Sequence, residues 1–356
     1  AYQPPAPDAL TAAQGETVGH FIDGAKRRGM KVWLQVQAAI PPGYRVQFSG
    51  VRQEDAPLGP DGAPVPGRVD GNASLAAPDI LAYGRALLKD LSAAYPAVDG
   101  FRIDWPEYPP YAFGALFFDF SPHALKVAAQ TGLDTERMRR DALALRTFLT
   151  DGGLVGRSGP AHEAALDTYP GVIDLLALKR ELSVRLLKTY RDALDDAFAL
   201  MPQAFPPPLH RLSGFDFAAA APHSAGIGIK FYTLHWPMIL ADWGTAMGGA
   251  DALAPLLNGA FDTGAPSPDT VAGFAYPEPD APHPLGVDAI ARKMAAARAE
   301  ASGATLYAFT HGYGPLHDVL RRAEAVWAAS EGRMWVNRYG YLSNEKLAGL
   351  RSVVAR

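Results

Sequence analysis

Amphipathic helical segments alternate with short apolar runs along most of this chain, and a glycine, proline or other turn residue separates one from the next. Apolar residues at i, i+3 and i+4 predict a helix over Thr11–Arg28, with Val18, Phe21, Ile22 and Ala25 on one face and Gly29 as its stop. The strand Lys31–Gln37 follows, then a helix over Pro78–Tyr95 and the strand Val98–Asp104. Further along, a helix over Pro170–Ala197 leads to the strand Phe198–Gln203, and a short turn near His223 leads to the strand Gly228–His235. The helix Val287–Ser302 precedes the strand Thr305–Phe309, the helix Leu316–Ala329 precedes Met334–Asn337, and the helix Asn344–Val354 closes the pattern. Short apolar strands separated by helices mean parallel strands joined by crossovers.

Six strand units fit a doubly wound sheet or a (β/α)8 TIM barrel. No glycine-rich phosphate fingerprint follows the first strand, and polar or aromatic residues crowd the C-terminal ends of nearly every strand. Both features favour the barrel, whose sites lie at that end. The expectation is one barrel domain over 1–356 with its first two strands lying before Ala1, so that Lys31–Gln37 is strand three and Val98–Asp104 strand four. A long loop over 38–77, rich in Pro, Gly and Asp, leaves strand three, and a partly helical insertion over 105–168, including a helix from Asp134 to Thr150, leaves strand four. Long excursions from strand C-termini shape binding clefts.

Bulk properties exclude several functions. The 356 residues are 48% hydrophobic and 20% charged, an ordinary globular composition. A net charge of −4 without a basic block argues against nucleic acid as a partner. No apolar run is long enough to span a membrane. The absence of cysteine removes disulfides, thiolate nucleophiles and Cys-based metal centres. No secretory leader opens the chain, which leaves a cytoplasmic or a secreted bacterial protein equally compatible, and the oligomeric state open. The Asn72-Ala-Ser74 triplet matches a glycosylation sequon, a pattern that chance often produces.

The strand Val98–Asp104 carries the most chemistry. Side chains alternate across a strand, so Phe101 and Ile103 face the helices while Arg102 and Asp104 face the barrel interior. A cation beside Asp104 would favour its ionised form, which suits a nucleophile or charge stabiliser; a structural Arg–Asp pair is the alternative. Glu107 stands among Trp105, Pro106, Tyr108, Pro109 and Pro110. Aromatic neighbours raise a carboxyl pKa and suit a general acid, whereas an exposed loop glutamate would do nothing. Asp216, between Phe215 and Phe217, is a further acidic candidate or else a helix cap. Other strand ends supply Gln35, Gln37, Tyr232, His235, Trp236, His311, Tyr313, Trp335, Asn337, Arg338 and Tyr339. Amides, histidines and aromatic platforms match the hydroxyl edges and C–H faces of sugars. His235 and His311 lack the spacing of a metal motif, no cofactor fingerprint occurs, and neither a P-loop nor a nucleophile elbow is present.

The segment Gly100-Phe-Arg-Ile-Asp104 resembles the fourth-strand motif of α-amylase-type glycoside hydrolases, in which the Asp after Arg-x is the nucleophile. Asp99-Gly100, Asp104-Trp105 and Glu107-Tyr-Pro109 resemble the chitinase-type Asp-Trp-Glu-Tyr-Pro motif, in which the Glu is the acid; Arg102 stands where that family has Asp, and Pro106 is inserted. Arg28-Gly-Met-Lys-Val32 and Tyr95-Pro-Ala-Val-Asp-Gly100 are similar to the strand layout of glycoside-hydrolase-like barrels. The resemblance spans most of the chain, is specific only near Asp104, and implies a carbohydrate substrate. In the amylase-like pattern the acid follows strand five, where this chain has Pro206–Asp216 and no Glu.

Three functions follow as expectations. The first is a glycosidase acting on a poly- or oligosaccharide, with Asp104 as nucleophile and Glu107 or Asp216 as acid/base, without a cofactor or metal. The second is a non-catalytic carbohydrate-binding barrel. The third is a barrel lyase or aldolase on a small acidic substrate, which needs a lysine or metal at the strand ends; Lys230 is expected early in its strand.

Overall fold

The computed structural model describes residues 2, 6, 8–41, 51–68, 70–157, 164–165, 167–264, 276–283 and 286–355. Six parallel strands, β1 (Trp33–Gln37), β2 (Gly100–Asp104), β3 (Ala199–Ala204), β4 (Ile227–Lys230), β5 (Leu306–His311) and β6 (Met334–Asn337), pair in sequence order in a curled half-barrel sheet. The helices are α1 (Ala9–Lys26), α2 (Pro78–Ala94), α3 (Pro122–Gln130), α4 (Thr135–Thr150), α5 (Pro170–Arg191), α6 (Leu209–Ser213), α7 (Phe217–Ala220), α8 (His235–Ala246), α9 (Ala250–Phe261), α10 (Val287–Glu300), α11 (Leu316–Ala329) and α12 (Asn344–Val354).

Local chemistry sets these boundaries. Asp8, Ser121, Asp134 and Ser343 cap α1, α3, α4 and α12 by accepting from backbone N–H groups, and Pro78, Pro122 and Pro170 occupy first-turn positions that need no donor. Gly29, at φ 72°, turns the chain from α1 toward β1 in a conformation that favours glycine. Asp99 then registers the sheet: its carboxylate takes Lys26 Nζ at 2.9 Å and Val32 N at 2.7 Å, tying α1 and β1 to the start of β2. Gly100 lies so close to Ala199 O that a Cβ would collide with it. The Asp-Gly pair of the sugar-enzyme-like motif is therefore a clamp and a close approach, with its chemistry spent on strand pairing.

Two apolar regions lie on the two faces of the sheet. Phe101 and Ile103, both fully buried, belong to the large core shared with the helices. Met201, Tyr232, Leu234 and Phe309 form a second cluster, joined by Trp33, Tyr307, Tyr313 and Trp335. Trp33 and Trp335, from the first and last strands, meet edge to face at 6.4 Å. Gly228 makes room for Phe309, which would overlap any Cβ at that position. This second cluster fills the concave side and leaves the polar site above it.

Several boundaries differ from the sequence reading. The expected helix Pro170–Ala197 ends at Arg191. The expected strand Gly228–His235 ends at Lys230, because Phe231 N–H turns to Ile229 O and Phe309 O, and His235 opens α8. The helices α8 and α9 were unexpected: Pro237 and Pro255 interrupt the pattern that would betray them. They belong to a third excursion, 231–286, in which 265–275 and 284–285 lie outside the described residues. The excursion 38–77 holds a 3-10 turn at Gln53–Asp55, and 105–168 holds a 3-10 turn at Phe113–Phe117, α3 and α4; within them 42–50, 69, 158–163 and 166 lie outside the described residues. Asn72 of the sequon is fully buried, with its amide donating to Trp105 O, so that triplet offers no accessible acceptor.

Candidate active site

A cavity of about 460 Å³ opens at the C-terminal ends of the strands. Gln35 and Gln37 of β1, Asp104 of β2, Lys230 of β4, His311 of β5 and Asn337 of β6 reach it from the sheet. The segments after the strands add Trp105 and Tyr111, then Tyr232, Leu234 and His235, and finally Tyr276, Arg338 and Tyr341. Its size falls within the range of small-molecule sites.

Asp104 stands at the floor with its side chain 15% exposed. Its register partner Gln37 flanks it, and three donors hold its carboxylate: Gln35 Nε2 at 3.1 Å, Lys230 Nζ at 3.3 Å and its own neighbour's Trp105 N at 3.1 Å. The Gln35 amide has a determined orientation. Arg102 can only donate, and it donates to Gln35 Oε1 at 2.9 Å, so the NH2 end must face Asp104. Arg102 does not touch Asp104 directly, as the sequence reading expected. It lies against the rings of Phe309 and Trp335, at 4.5 and 4.6 Å, and reaches the carboxylate through Gln35. The cation that meets Asp104 is Lys230, delivered from β4.

Lys230 is also 3.7 Å from Glu107. Glu107 is 0% exposed, accepting from Phe205 N at 3.0 Å and from Ser213 Oγ. Burial pushes its carboxyl up to about 7, against the opposing pull of Lys230 and these hydrogen bonds. The two carboxyls therefore share one ammonium, but only Asp104 opens to the cavity.

The upper walls are aromatic and basic. His311 Nδ1 accepts from Tyr313 N at 3.0 Å, which places its proton on Nε2 as a donor. Tyr111 Oη and His235 Nδ1 are 2.9 Å apart, and Tyr232 packs edge-on against both histidines. Burial depresses His235 and His311 to about 3, helped by the surrounding cations, so both are neutral at physiological pH. Among the described residues no three His, Asp or Glu side chains converge as metal ligands.

The other residues singled out from sequence lie elsewhere. Asp216 caps α7 through Ala219 N and sits 3.9 Å from Arg180, outside the cavity lining. Trp236 is buried beneath Lys293, and Trp335 packs in the interior cluster below the floor. Conversely, the sequence reading underrated Lys230 and passed over Tyr111, Tyr276 and Tyr341. The tyrosines lie in connecting segments, where no periodicity assigns a side chain to a face, although Tyr111 shares the Pro-rich run with Glu107.

No family model and no curated protein matches this chain. Among solved structures it is similar to a beta-galactosidase from the psychrophilic Marinomonas ef1, at TM-score 0.54 and 13% identity over 95% of this chain and 51% of that one. A cold-adapted beta-galactosidase from Rahnella sp. R3 is matched at TM-score 0.41 and 12% identity, over 89% of this chain and 48% of that one. The chain thus spans about half the length of these neighbours. At such identity the likeness to the Marinomonas enzyme concerns fold alone: six parallel strands in a curled sheet, related to the architecture of a glycoside hydrolase.

Proposed function

We propose that this chain is the larger part of a (β/α)8-type glycosidase barrel and that Asp104 is its reactive carboxylate. The observation that carries this reading is one ionisable oxygen acid at a strand end, held by Gln35 and Lys230 on the floor of a cavity lined with amides, neutral histidines and aromatic rings. Amide and imidazole N–H groups suit sugar hydroxyls, and Trp105 and the tyrosines offer faces for sugar C–H groups. The fold likeness supports the reading without assigning a substrate. Glu107, whose carboxyl burial raises to about 7, lies behind the floor and shares Lys230 with Asp104.

Replacing Asp104 by Asn should lower hydrolysis of a panel of aryl glycosides by about two to three orders of magnitude, the scale for losing a group that acts on transition-state charge. Glu107 remains beside Lys230 as its second carboxyl partner, so the variant should stay folded at the assay temperature, which circular dichroism checks. Hydrolysis that persists at the parent rate in D104N would reject the role of Asp104.

One observation favours a second reading, that of a non-catalytic carbohydrate-binding barrel. Glycosidases of either stereochemistry normally bring two carboxyls to the scissile bond. Here Glu107 is sealed and Asp216 is turned to a helix end. Sugar binding by tryptophan fluorescence with no turnover across the panel would select this reading.

A further inference from the structure

Charge is distributed unevenly around the cavity. Asp104 and Lys230 answer each other at the floor, with Glu107 as the lysine's second partner. The two histidines are neutral. Arg338 is different: it lines the cavity just after β6, and among the described residues its guanidinium has neither an ion-pair partner nor a hydrogen bond.

The backbone beneath Arg338 is built to hold it there. Arg338 adopts φ 64°, ψ 87°, a left-handed conformation that costs a non-glycine residue on the order of 1 kcal/mol. The turn that follows is pinned by Lys346, whose Nζ donates to Gly312 O at 2.9 Å and Tyr341 O at 3.0 Å. Arg338 O also accepts from Tyr341 N at 3.1 Å. The turn fixes the direction in which the side chain leaves the backbone; the exposed guanidinium, without an acceptor beside a polar cavity, is a planar fork that matches a carboxylate in two parallel hydrogen bonds.

We infer that the cavity takes an acidic sugar, a uronate whose carboxylate is held by Arg338 while its reacting end faces Asp104. This rests on the carbohydrate reading above and adds the substrate class. The charge pattern fits such a ligand, since Lys230 is already answered by Asp104 and Glu107, and Arg338 is the lining cation that no described carboxylate answers.

The test compares sugars that differ only in the carboxylate. The protein is titrated with D-galacturonate against D-galactose and with D-glucuronate against D-glucose, followed by tryptophan fluorescence, with Trp105 as reporter in the cavity wall. At least one uronate is expected to bind tenfold or more tightly than its neutral parent, the scale of a charge-assisted pair. In Arg338→Gln that ratio should fall below twofold, and Arg338→Lys should retain part of it. The Arg338 side chain is exposed, so folding is not at stake, and circular dichroism checks it. If neutral sugars and uronates bind alike, or if the preference survives in R338Q, the acidic-sugar inference is overturned while the carbohydrate reading stands. If no sugar binds and a non-sugar acid such as malate is held through Arg338, both readings fall.

Discussion

Glu107 is the residue whose chemistry differs most from its position in the motif. Its proximity to Asp104 is real, since Lys230 touches both, but its access is closed. Because burial raises its carboxyl from 4.5 to about 7, the folded protein holds a proton there that the unfolded chain releases. The stability tied to that proton is fully present below about pH 4.5 and is lost as pH rises through 7, an effect of about 3 kcal/mol. Glu107→Gln removes this term. Relative to the parent, the variant should therefore gain about 3 kcal/mol between pH 4.5 and 8 in urea unfolding, whatever its offset at either pH. An offset that stays constant across that range would show that Glu107 titrates alike in the folded and unfolded chain, and that burial does not raise its carboxyl. Asp104 illustrates the converse: its interior-facing position is readable from strand alternation, whereas its partner lies 126 residues away.

At the scale of elements, α11 secures the wall that carries His311. Asp318 and Arg322 are both fully buried one turn apart, joined at 2.7 Å. Arg322 also donates to His311 O and Tyr313 O, while Asp318 accepts from His283 N and Arg321. One helix thereby clamps the end of β5 and the segment 276–283. Asp318→Asn keeps the shape but leaves Arg322 buried without its counter-charge. A loss of about 3–5 kcal/mol is expected in urea unfolding, with faster hydrogen exchange at Gly312 and Tyr313. Near-parent stability would mean that the pair is dispensable. Helix α11 was legible because its apolar stripe is regular; α8 and α9 were not, because apolar residues lie on all their faces and proline falls in the first turn of α8 and inside α9.

For the whole molecule, acid should be the weak side. His235, His283 and His311 are held at about 3, chiefly by burial, against 6.5 in an unfolded chain. Depressed imidazoles contribute stability that is present above pH 6.5 and lost as pH falls toward 3. By pH 5 each contributes a loss of up to about 2 kcal/mol, and together they outweigh the opposite trend from Glu107. The urea midpoint should thus fall between pH 7 and pH 5, and a midpoint that rises would contradict the neutral assignment of these histidines. His235 and His311 line the cavity and His283 bonds to Thr233, so intrinsic tryptophan fluorescence should report global unfolding in the same range.

The amino-acid sequence by itself determined the parallel helix–strand plan, the six strands in order, and the inward aim of Arg102 and Asp104, because these follow from periodicity within single segments. Only the tertiary structure decided which charges meet. Lys230 reached Asp104 because the four-residue strand β4 ends on it and the curled sheet brings that end across to β2. Glu107 was sealed by Phe205 and Ser213, about a hundred residues downstream, and Arg338 was left open by a left-handed turn. Pairing, burial and backbone direction at strand ends depend on contacts between distant segments, and local pattern carries no record of them.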